Sequence, residues 1–99
     1  MKKIIKLSER FGSFLSDGEQ GNQFRFCELE PLISRGNLVV LDFEGVTNMT
    51  DSFSNACFGH LFRHLDFELE GKLQLVHCSP TVQSFLMSAW SLANKHVAK

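Results

Sequence analysis

The stretch LVVLDFEGVTNMTDSF, Leu38 to Phe53, decides the fold. It opens with LVVLDF, a continuous apolar run bounded by Gly36 and Gly45, the pattern of a strand covered on both faces. We therefore place it at the centre of a sheet. Beyond the carboxylates of Asp42 and Glu44 the chain turns polar, and Thr50, Asp51 and Ser52 form a hydroxyl-rich cluster that suits a helix start. Phe53, Cys57, Leu61 and Leu65 then recur at four-residue intervals beside Ala56, which predicts an amphipathic helix from Ser52 to about Leu65, capped by Thr50 or Asp51.

Upstream, KIIKL (Lys3 to Leu7) is short and rich in β-branched residues and predicts a first strand, with Phe11 and Phe14 continuing an extended or hairpin region. SDGEQGN (Ser16 to Asn22) suits a turn and a helix start. Phe24, Cys27, Leu32 and Ile33 then carry helical spacing, although alternation in QFRFCEL also fits a strand. Pro31 requires that helix to kink, stop near Leu29 or restart there, because proline removes a hydrogen bond and clashes with the preceding turn. Downstream, KLQLVH (Lys72 to His77) predicts a strand after a turn at Gly71, and SPT (Ser79 to Thr81) provides a cap followed by proline at the first helical position. In the final helix Val82, Phe85, Leu86, Ala89, Trp90, Ala93 and Val97 share about one third of the circumference. Strands alternating with helices imply an α/β fold, a small mixed or parallel sheet with helices packed against it, in a single domain over residues 1–99.

Ten Lys and Arg against 11 Asp and Glu give a net charge of −1, which offers no electrostatic footprint for nucleic acid or an anionic membrane. No stretch approaches the ~18 apolar residues of a transmembrane helix, so a cytoplasmic protein is expected. Cys27, Cys57 and Cys78 are odd in number, lack CxxC spacing and sit among apolar residues, as buried thiols in a reducing compartment do.

Four constellations bear on chemistry. Asp42 and Glu44 stand two apart at the strand end and point to one face, yet acid-base work also needs a pocket and a third polar group, so backbone acceptance at a strand end is the plainer role. Cys57, His60 and His64, at i, i+3 and i+7 on the predicted helix, have the chemistry to hold zinc, with His77 and Cys78 as further donors. Their side of the helix also carries Phe53 and should face the sheet, so no metal and no cofactor is expected. Ser52 or Ser54 as a nucleophile lacks a GxSxG elbow and a related histidine, and no glycine-rich phosphate loop occurs, so no enzyme activity is expected. The fourth reading makes Ser52 a covalent switch, because helix N-terminal N–H groups and the helix dipole stabilise an added phosphate.

The segment LVVLDFEGVTNMTDSFSNACFGHLF resembles the STAS-like domain of unknown function, a small bacterial relative of the STAS domains of anti-sigma-factor antagonists. DFEGV at the strand end, SF opening a helix, and the upstream DGEQGNQFRF carry the resemblance, which covers Asp17 to His77 and is expected to extend over the whole chain. It implies a STAS-like sheet and a non-enzymatic regulatory module that works by partner switching. By the same resemblance Ser52 aligns with the phosphorylatable serine of the antagonists, Asp51 with the serine before it and Thr50 with their aspartate, while Phe53 stands where they carry glycine. A histidine-kinase-type ATPase is the partner class implied. The expected partner surface comprises Met49, Thr50, Asp51, Ser52, Ser54, Asn55, Phe58 and Phe62. The alternative is an oligomerising domain, a homodimer formed through the wide apolar arc at Phe58 and Phe62.

Overall fold

The computed structural model of the protein describes residues 2–64 and 72–97, with the side chains of residues 63, 64 and 92–97 left aside. The expected roles of Leu65 and Gly71, and of the Ala93 and Val97 side chains, lie outside what is described. The chain begins with strand β1 (Lys2–Lys6), a short helix α1 (Leu7–Phe11) and strand β2 (Phe14–Leu15). A long helix α2 follows over residues 18–34, then β3 (Leu38–Asp42), β4 (Asn48–Met49) and helix α3 over residues 51–64. Strand β5 (Leu73–Val76) and helix α4 (Pro80–Val97) complete it.

The apolar run is the centre, as its composition predicts. β3 lies between β1 and β5 in a three-stranded sheet, and β2 pairs with β4 in a second, two-stranded one. Every described pairing is parallel, with Lys6 opposite Asp42 and Asp42 opposite Val76. Val39, Leu41 and Phe43 join the core on one side of β3, and Val40 is buried on the other. Phe11 departs from expectation. It ends α1 rather than extending a strand, and its ring packs edge-on against Phe24 and Phe53 at 5.3 and 5.4 Å.

Pro31 neither ends nor breaks its helix. The turn before it, Arg25–Leu29, is a π-helical turn in which Glu30 N–H donates to Arg25 O, and the widened ring of backbone relieves the clash that proline brings. A second π-helical turn, Asn55–Gly59, lies in α3. The two turns meet across the helix pair, where Arg25 Nε–H donates to Ala56 O at 3.0 Å while its other nitrogens hold Glu30 and Asn22. α3 therefore sits between α2 and α4 and contributes Phe53, Cys57, Phe58 and Leu61 to the core, each with no exposed surface. α4 starts as its sequence predicts, with Ser79 Oγ accepting from Val82 N–H at 3.2 Å.

Candidate functional site

Two regions collect polar groups at element ends. The first is the start of α3. Pairing of β2 with β4 sets Leu15 beside Met49, and Thr50 N–H donates to Leu15 O at 3.0 Å. The next residues of both strands open helices, so the first turns of α2 and α3 lie side by side. Asp17 caps α2 by accepting from Glu19 N–H at 2.9 Å, and Thr50 caps α3 by accepting from Phe53 N–H at 3.2 Å. Of the two expected caps, Thr50 serves. Its hydroxyl also donates to Ser16 O at 3.0 Å, which ties one helix start to the other.

The glycines of SDGEQGN make this proximity possible. A methyl group at Gly18 would stand 3.1 Å from Ser52 O, and one at Gly21 would stand 3.2 Å from Phe53 O, closer than side chains normally approach backbone. The helix start expected of this stretch is present, with Asp17 as its cap, and the structure also uses these glycines for helix contact.

Asp51, Ser52 and Asn55 are exposed and Thr50 is half-buried. No hydrogen bond among the described residues engages the Ser52 hydroxyl. The other members of the expected partner surface are interior, and this corrects the reading of the sequence. Met49 is 1% exposed, Ser54 2%, Phe58 0% and Phe62 5%. Ser54 Oγ–H donates to Phe85 O at 3.3 Å, which joins α3 to α4 and leaves it unavailable as a nucleophile or a docking group. Phe58 packs on Phe43 and Phe53, and Phe62 stacks on Phe58 and meets the Trp90 ring edge-on at 5.3 Å. The wide apolar arc thus serves a second helix of the same chain, and the homodimer reading loses the surface on which it was based.

The candidate zinc donors Cys57 and His60 do not share a side of α3. Cys57 lies in the core, where burial drives its thiol far above the usual range, while His60 is exposed. The side chain of His64 lies outside what is described.

The second region is the carboxyl end of the three-stranded sheet. Asp42 ends β3, and its Oδ1 accepts from Glu44 N–H at 2.9 Å, the strand-end role expected of it. The same oxygen lies 2.8 Å from His77 Nδ1, just past the end of β5. Phe43 N–H donates to Val76 O at 2.9 Å, so the pairing of the strands extends one residue past Asp42 and brings His77 within reach. His77 takes a left-handed φ of 58°, a conformation histidine adopts more readily than most residues but seldom without a reason. In the turn after Glu44, Gly45 has φ 89°, and a methyl group there would stand 3.1 Å from Ser8 Oγ, so glycine suits both the backbone and the space.

The hydrogen bond to Asp42, and then its charge, hold His77 above the ordinary imidazole range. Asp42 is held below the ordinary carboxylate range, first by the Glu44 N–H and then by His77. Beside this pair a shallow cleft runs along Leu75, Cys78, Gln83 and Met87. Burial raises the Cys78 thiol, which disfavours the nucleophilic thiolate. The sequence separates Asp42 and His77 by 35 positions and carries no motif linking them. Their one shared signal is that each stands at the end of a predicted strand.

Among the described residues no helix is long and apolar enough to cross a membrane. No curated protein and no solved structure matches the chain significantly. A family model does match, over residues 20–83, which spans α2, the central strand, the capped start of α3, β5 and the first turn of α4. The chain therefore belongs to the family of the STAS-like domain of unknown function.

Proposed function

We propose that the protein is a non-enzymatic regulatory module that binds a partner protein through the surface at the start of α3 and is switched by phosphorylation of Ser52. The observation that carries this reading is the position of that serine. Its hydroxyl is exposed in the first turn of a long helix, directly after a cap that fixes the turn. A phosphoryl group there gains from the helix dipole and from backbone N–H groups that have no intrahelical acceptor. It also adds ~1.5–2 negative charges to a surface that already carries Asp51 and Asp17, which changes what can dock.

The surface is small and polar, made of Thr50, Asp51, Ser52 and Asn55. Phe53, where the antagonists of the wider STAS group carry glycine, points into the core, so it anchors the turn from beneath. A histidine-kinase-type ATPase is the partner class we assign, acting as both kinase and docking partner in an anti-sigma-factor-antagonist-like exchange.

The test is incubation with such an ATPase, chosen from genes beside this one, in the presence of Mg-ATP, followed by intact-mass analysis. The reading predicts addition of one phosphoryl group, lost in Ser52→Ala and retained in Ser54→Ala if that variant folds. Complex formation without added mass removes the switch. No complex with any such ATPase removes the partner class.

A further inference from the structure

We propose that Asp42, Glu44 and His77 form a binding site for one divalent transition-metal ion, with zinc the best match to one imidazole nitrogen and two carboxylate oxygens. The proposal is independent of the reading of Ser52. It rests on what the parallel pairing of β3 with β5 brings together.

One ligand atom from each of the three residues lies within 4.8 Å of the others. Nitrogen and oxygen donors sit about 2.0–2.2 Å from zinc, so tetrahedral donors on one ion lie about 3.3–3.6 Å apart. The set closes around an ion by a side-chain shift on the order of an ångström. Glu44 and His77 are exposed and able to make that shift, while Asp42 is fixed at the strand end.

Two features set the cluster apart from a chance meeting of surface charges. The Asp42 side chain is only 9% exposed, yet both of its hydrogen bonds fall on Oδ1, and Oδ2 accepts none among the described residues. Oδ2 reaches solvent and so offers an ion an oxygen that no neighbouring group occupies. His77 reaches it only through a left-handed backbone, whose cost the fold sustains at this one non-glycine position among the described residues.

Binding parts His77 Nδ1 from Asp42, now 2.8 Å away, to admit the ion and releases the proton that these atoms share. Glu44 supplies the third donor, and water completes the coordination on the open side. Zinc sites with three protein ligands and an open position share this ligand count, with a carboxylate here where they carry an imidazole or thiolate.

The experiment is calorimetric titration of zinc chloride into the full chain after chelator treatment and dialysis, alongside NMR of the histidine rings. One ion should bind per chain, with the His77 ring signals shifting. His77→Asn, chosen because asparagine tolerates the left-handed backbone, and Glu44→Gln should each weaken binding by about tenfold or more, as loss of a supporting group does at metal sites. His60→Gln and Cys27→Ser should bind as the parent does. Melting curves without zinc identify any variant that fails to fold, and Glu44→Gln, in an exposed turn, keeps the test decisive if His77→Asn does. Absence of saturable heat overturns the proposal, as does binding that survives both ligand substitutions or is lost in His60→Gln or Cys27→Ser.

Discussion

The start of α3 and the carboxyl end of the sheet are both polar surfaces hung on parallel strand pairs, but they are assembled in different ways. At the helix start the acting residues are neighbours in sequence, and Thr50 caps a backbone amide three positions on. At the sheet end Asp42 and His77 are 35 positions apart and meet because β3 and β5 pair in one particular register. A slip of that register by one residue would turn His77 away from Asp42. A surface made locally keeps its parts whenever the helix forms, whereas one made by register exists only in the folded sheet.

Substitution beneath the helix start tests the first half of that contrast most severely. Phe58 is fully buried, so Phe58→Ala should destabilise the fold by about 3–5 kcal/mol in chemical denaturation, through lost burial and the cavity left behind. If Phe58 formed a self-association face instead, the substitution would spare monomer stability and change the species seen by light scattering.

Capping and switching can then be told apart within three residues. Thr50→Ala removes a cap and the link to Ser16, and should cost about 1–2 kcal/mol. Ser52→Ala removes an exposed hydroxyl with no hydrogen-bond partner among the described residues and should stay within about 0.5 kcal/mol of the parent. Equal losses at the two positions would make Ser52 part of the cap and weaken its reading as a switch.

The sheet end should give the smallest effect, one defined by its sign. His77 is held above its ordinary value of 6.5, so its contribution to stability is complete below that pH and fades as pH rises through the raised value. Asp42 is held below its ordinary 3.8, so its contribution is complete above that pH and fades as pH falls through the lowered value. The pair therefore stabilises most between pH 3.8 and 6.5. With chelator present, the stability gap between the parent and His77→Asn should be widest there and narrow toward alkaline pH. His77 is largely exposed, so solvent screening keeps the gap small. A gap that widened with rising pH would contradict the geometry of the pair.

The same contrast explains what the sequence disclosed. LVVLDF identified the central strand because burial on both faces leaves a continuous apolar run, and Thr50, Ser79 and Pro80 announced their helices because caps act over three residues. The arc at Phe58 and Phe62 reads in sequence as facing another helix or another chain, since the spacing of a helix shows how wide its apolar arc is but not what covers it; here another helix does. Pro31 was readable as a disturbance, but its remedy, a π-helical turn at Arg25–Leu29, depends on tertiary contacts such as Arg25 to Ala56. Gly18 and Gly21 mark a turn and a helix start, and only the start is present; their close helix contact leaves the same small residues as a loop does, so it is not legible. The Asp42 and His77 pair leaves only the signal that each ends a predicted strand, because register is not written in either segment alone.

The proposed role of the helix start is tested most directly by mapping amide shifts of the isotopically labelled chain as an unlabelled histidine-kinase-type ATPase encoded beside its gene is added. The account predicts shifts concentrated on Thr50, Asp51, Ser52 and Asn55, with Asp42, Glu44 and His77 unmoved. Shifts centred on the sheet end, or none at saturating partner, would contradict it.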